Sequence, residues 1–97
     1  MKKLKKGWVE GDIQDFLELS AADAEYIETK LTLCRRMRDA RQEQRLTQAE
    51  LAKQLHTSQA RIARMENGDP EVSLDAVMKA LFGMGQTRRD IFKRSLA

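Results

Sequence analysis

Between Ser58 and Asn67 the chain reads SQARIARMEN, a stretch whose side chains suit the recognition of nucleic-acid bases. A glutamine amide can pair with two atoms of an adenine edge, an arginine guanidinium with two of a guanine edge, and an alanine methyl can pack on a thymine methyl. Gln59, Ala60, Arg61, Ala63 and Arg64 supply all three on the polar side of a short helix. The same residues are also good solvated helix formers, so their surroundings must decide between the two readings. Other chemistries find less material. A single cysteine, Cys34, makes no internal disulfide, and a single histidine, His56, leaves no thiolate and imidazole set for a metal. Cys34 falls on an apolar stripe and reads as a small core side chain. The carboxylates lie on charged helical faces, and no glycine-rich phosphate loop or nucleophile elbow is present. The expectation is a binding protein with no catalytic residue, metal or cofactor.

The elements that must position these residues are helices. The only proline, Pro70, lies outside every periodic segment, and β-branched alternation is absent. Ser20, Thr47 and Thr87 each stand three residues before an acid (Asp23, Glu50, Asp90), the pattern of a capping box, and Ser58 and Ser73 are further N-cap candidates. The expected helices run from about Ala21 to Gln44, Gln48 to Leu55, Gln59 to Asn67, Leu74 to Phe82 and Arg88 to Leu96. In the first, Ile27, Leu31, Cys34, Met37 and Ala40 form one apolar face. Leu46 before the second is placed to staple onto Leu51. Ile62 and Met65 line the third, and Gly68 can take the left-handed conformation that ends it. Leu74, Val77, Met78 and Leu81 line the fourth, with Gly83 and Gly85 after it, and Ile91, Phe92 and Leu96 line the fifth. Only His56-Thr57-Ser58 separates the second helix from the third, too short a link for antiparallel packing, so the two must cross steeply. That is helix-turn-helix geometry.

With 41% hydrophobic residues the chain can build one modest core, and with 34% charged it has no apolar run long enough for a membrane span. MKKLKKGW at the start carries four lysines without an apolar stretch behind them, so the expected location is the reducing cytoplasm. The net charge of +3 is unevenly spread. Glu10, Asp12, Asp15, Glu18, Asp23, Glu25 and Glu28 stand without one basic residue among them. Residues 35 to 64 then hold eight basic residues against Asp39, Glu43 and Glu50. A basic block attracts nucleic acid, or merely solvates a helix face.

The string LTQAELAKQLHTSQARIARMENG, residues 46 to 68, closely resembles the helix-turn-helix of the Cro and lambda-repressor class, the XRE family. The resemblance implies an all-α, compact five-helix domain that represses transcription as a homodimer on a double-stranded DNA operator. It sets Gln59, Ala60 and Arg64 at base-contacting positions and Gln48 on a phosphate, with Ser58, Arg61, Asn67 and Arg41 as further phosphate contacts. It also implies a structural pair between Arg41 and Glu66. The family commonly has glycine where this chain has His56, at a position that needs a positive φ.

The flanks DFLELSAADAEYIETKLTL and SLDAVMKALFGMG resemble HigA-like antitoxins, which pair with a small ribonuclease toxin and repress their own operon. That resemblance extends over roughly residues 13 to 85; with the first helix expected to start after Ser20, residues 1–19 are expected to form an N-terminal extension, partly flexible, and 20–97 the DNA-binding domain. Ile13, Phe16, Leu17, Asp15 and Glu18 are then candidates for contact with a basic toxin, or a cover for the domain's own core. Leu81, Phe82, Ile91, Phe92 and Leu96 are candidates for the dimer surface, with completion of the monomer core as the alternative, above all for Leu81 and Ile91. A stand-alone repressor without a toxin, and a protein-interaction module that has lost DNA binding, are the competing readings.

Overall fold

The computed structural model describes residues 10–95, and side chains from 20 to 93. Five α-helices make up the described part: α1 (Glu10–Glu43), α2 (Gln48–Gln54), α3 (Gln59–Glu66), α4 (Leu74–Gly83) and α5 (Arg88–Ser95). The all-α architecture expected from the sequence is the one observed.

The largest departure is at the first helix, which begins at Glu10 and runs through Ser20 without a break. The Ser20-Ala21-Ala22-Asp23 box therefore caps nothing. A capping residue starts a helix only where the chain before it cannot continue one. From Asp12 onward α1 contains neither glycine nor proline, and Ala21, Ala22 and Ala24 favour propagation. Residues Ala21 to Glu28 are all exposed, and burial begins at Lys30. Ile27, assigned to the apolar face, is 53% exposed because the packed elements do not reach that turn. Leu31 is half-buried, and Leu33, Cys34, Met37 and Ala40 enter the core.

The core is the side of α1 beyond residue 30, covered by α3, α4 and α5, with α2 against α3. Leu33, Met37, Leu51, Ile62, Val77, Leu81 and Ile91 are fully buried within it. Leu46, Leu55, Leu74 and Met78 pack at its margin. Leu81 and Ile91 thus complete the monomer and are unavailable as a dimer surface, whereas Phe82 and Phe92 are each 45% exposed. Leu96 lies outside the described residues. Gly83 is the last residue of α4 rather than its stop, and its missing Cβ makes room for Leu55 Cδ2.

Four helices end in the same way. After α1, Arg45 takes φ 58° while Arg45 N–H donates to Gln42 C=O and Leu46 N–H reaches back to Arg41 C=O. His56 (φ 58°), Gly68 (φ 73°) and Gly85 (φ 90°) repeat the arrangement after α2, α3 and α4. This paired i→i−3 and i→i−5 bonding is the Schellman motif, whose left-handed residue is most often glycine. The positive φ expected at His56 is present, and Arg45 is a second non-glycine residue in that region.

Buried cations fix the loops to α1. Lys30 Nζ donates to the carbonyls of Asp69 (3.2 Å) and Pro70 (3.4 Å), holding the α3–α4 connection. Arg36, 5% exposed, bonds Glu43 Oε1 at 3.1 Å and Gln86 Oε1 at 3.0 Å, and Gln44 Nε2 donates to Met84 C=O, so the α4–α5 connection is tied down as well.

Candidate nucleic-acid interface

Seven residues form α2 and eight form α3, lengths that are marginal without strong ends. Thr47 provides one end: its hydroxyl accepts from Glu50 N–H (3.0 Å), and Glu50 Oε1 accepts from Thr47 N–H (2.8 Å). The Thr47 amide bond holds the Glu50 carboxyl below the ordinary carboxylate range. Ser58 caps α3 by accepting from Arg61 N–H at 3.1 Å. Its oxygen is committed as an acceptor, while the hydroxyl proton stays available to donate.

On α3 the inward positions Ile62, Met65 and Glu66 are buried, and Gln59, Ala60 and Arg64 are exposed. Arg61 and Ala63, expected on the open side, are half-buried. Arg61 lines a groove of about 680 Å³ between α3, the α2–α3 turn and α4, together with His56, Met65, Lys79 and Ala80.

Glu66 organises the site. Its side chain is 0% exposed, and Arg41 meets it with both Nε (2.6 Å) and Nη2 (3.1 Å) while Nη1 donates to Leu46 C=O at 2.8 Å. Hydrogen bonding to Glu66 pushes the Arg41 guanidinium's pKa above its ordinary value, which favours its charged form. Gln48 Nε2 donates to Glu66 Oε1 at 3.2 Å, which orients the side chain that opens α2. The Arg41 to Glu66 pair expected from the resemblance is therefore present, and Arg41, 14% exposed, is largely consumed by it. Asn67, exposed at the end of α3, accepts from Arg38 Nη2 through Oδ1 at 2.9 Å.

Arg38 was not among the expected site residues. It precedes Arg41 by three positions on α1, a helical spacing that puts both on one face, and this was the available signal. Lys30 was missed too, since nothing local marks a lysine that caps carbonyls 39 residues away. The side chains of Ile13, Asp15, Phe16, Leu17 and Glu18 lie outside the described ones, so only their helical backbone is placed. Cys34 is 1% exposed, and burial raises its thiol pKa, consistent with the core role assigned to it.

Two short helices joined by a left-handed turn, the second held by a buried carboxylate and open along one polar side, define the helix-turn-helix class. Residues 16–88 match the family described as helix-turn-helix domain, well over half of the chain, and the chain belongs to that family. No curated protein and no solved structure matches it significantly. Among the described residues, no helix is long and apolar enough to cross a membrane.

Proposed function

We propose that the chain is a sequence-specific DNA-binding repressor that acts as a two-fold dimer and carries out no chemistry of its own. In this reading α3 enters the major groove with Gln59, Ala60 and Arg64 toward the base edges, and Gln48, Ser58, Arg61 and Asn67 meet phosphates, with a lesser share from Arg41. The observation that carries it is the division of α3, exposed at those three readout positions and locked from behind by Glu66. Selection from a pool of random duplexes, followed by fluorescence anisotropy across a salt series, tests it. Enrichment of a pseudo-palindrome and salt-dependent retention are expected. Absence of both would leave a protein-interaction module.

The finer reading is an antitoxin that represses its own operon and captures a small basic ribonuclease. Its support is the likeness of the flanking segments to HigA-like antitoxins and the acidic first half of α1. Tyr26 and Ile27 there are 49% and 53% exposed on a helix with no base between Glu10 and Glu28. Charge complementarity would speed encounter with a cationic partner, and apolar contacts would retain it. If no partner is captured, a stand-alone repressor remains. DNA binding would place the protein at the nucleoid in the cytoplasm.

A further inference from the structure

We propose that Arg38, on α1, is a phosphate-binding residue of the DNA interface and extends that interface beyond the helix-turn-helix itself. The inference rests on the DNA-binding reading and deepens it. Arg38 Nε lies 3.7 Å from Glu66 Oε1, the same oxygen to which Gln48 donates at 3.2 Å. Arg38 and Gln48, which surround this oxygen together with Arg41 Nη2 (3.1 Å), are close neighbours, so a phosphate held by Gln48 lies within reach of the Arg38 guanidinium. Arg38 Nη2 is also fixed from the other side, on Asn67 Oδ1 at 2.9 Å and near Glu66 C=O at 3.5 Å.

Charge and exposure separate Arg38 from Arg41. One carboxylate faces two guanidiniums, and Arg41 takes it in a bidentate pair at 14% exposure. Arg38 has only a long contact to that carboxylate and is 42% exposed, so its charge is the one left to face solvent. A guanidinium carries five donors, and those not spent on Asn67 and Glu66 can meet phosphate oxygens. Holding it between α1 and the end of α3 lowers the entropy lost on binding. The class of ligand is the DNA backbone rather than a base, because Arg38 stands on α1 and not on the helix that reads base edges.

The test compares full-length wild type, Arg38→Gln and Arg38→Lys on a random-sequence duplex and on the selected site, by anisotropy over a salt series. Each neutralised phosphate contributes a slope of roughly −0.9 to log K against log[salt]. Arg38→Gln is expected to make the slope shallower by about one contact and to weaken both duplexes by the same factor. Arg38→Lys, which keeps the charge and loses the bridge to Asn67, is expected to retain a slope near wild type. Circular dichroism confirms that each variant is folded, and Arg38→Met, which also removes the charge, takes the place of Arg38→Gln if that variant is not, with the same expected change in slope. A wild-type slope in Arg38→Gln overturns the proposal and leaves the DNA-binding reading intact. A uniform loss of affinity in both variants at unchanged slope also overturns it, making Arg38 a positioning residue for Asn67. A wild-type protein without salt-dependent binding overturns both readings.

Discussion

At the scale of single residues, the site depends on one buried carboxylate with the side chains of Arg41, Gln48 and Arg38 around it. Removing one member of a buried ion pair strands the other and costs about 3–5 kcal/mol. Glu66→Ala is therefore expected to lower stability by roughly that amount, because Arg41 is left buried and Gln48 loses its anchor. Chemical denaturation measures the loss, and a change below about 1 kcal/mol would show that solvent replaces the carboxylate readily. Arg64 behaves differently, since it is exposed and its side chain makes no hydrogen bond or ion pair among the described residues. Arg64→Ala should leave stability unchanged, cost about 1–3 kcal/mol on the selected site and affect random duplexes much less. Equal losses on both duplexes would make Arg64 a phosphate contact. The parts of this site visible in the sequence were those set by local spacing: Gln59, Ala60 and Arg64 on one side of a short helix, and Arg41 with Glu66 through the family pattern. Arg38 escaped notice because its partners, Asn67 and Glu66, are 29 and 28 residues away and only the fold brings them to it.

At the scale of elements, the helix ends carry much of the information. The Thr47–Glu50 box and the Ser58 and Ser73 caps were legible because capping is a local contest between a side-chain oxygen and a free amide. The start of α1 was not, since Ser20 carries the same signal in the middle of a helix that alanines propagate through it. Two consequences can be measured. A Cβ on Gly68 would meet Leu31 Cδ2 at a positive φ, so Gly68→Ala is expected to cost about 1–3 kcal/mol. Arg45→Gly and His56→Gly occupy the equivalent place in their own motifs, where relief of the left-handed backbone opposes the added freedom of the unfolded chain. They should be neutral or stabilising by up to about 1 kcal/mol, and a clear loss in either would mean that its side chain makes contacts outweighing the backbone strain. The capping box adds a pH signature. The Glu50 pKa is depressed in the folded protein, so its contribution is complete above the unfolded carboxylate value and fades as pH falls through the folded one. The stability difference between wild type and Glu50→Gln should accordingly shrink under acid, and a difference independent of pH would remove the ionised carboxylate from the account.

At the scale of the whole molecule, the exposed first part of α1 and the exposed rings of Phe82 and Phe92 are the surfaces on which the proposed partners would be tested. The sequence marks apolar residues at helical spacing but not which of them a neighbouring element covers. Leu81 and Ile91 are inside the core, whereas Phe82 and Phe92 keep nearly half their surface in solvent. In the proposed reading, a dimer answers the problem of site selection. One eight-residue recognition helix meets too few base pairs to select a site, and two copies about a two-fold axis double the contacts on half-sites about one helical turn apart. Phe82 and Phe92 are the described apolar side chains on α4 and α5 best placed to be covered by a second copy, since burying them costs the monomer nothing it now uses. The double variant Phe82→Glu, Phe92→Glu should keep the wild-type circular dichroism spectrum, because neither ring belongs to the buried core. Sedimentation equilibrium at micromolar concentration should then show a dimer for wild type and a monomer for the variant, with the variant's cooperative binding to a two-half-site duplex lost and its single half-site affinity kept. A wild-type protein that sediments as a monomer, alone and on the selected duplex, would remove the dimer. A variant that remains dimeric would move the interface elsewhere, to the exposed first half of α1.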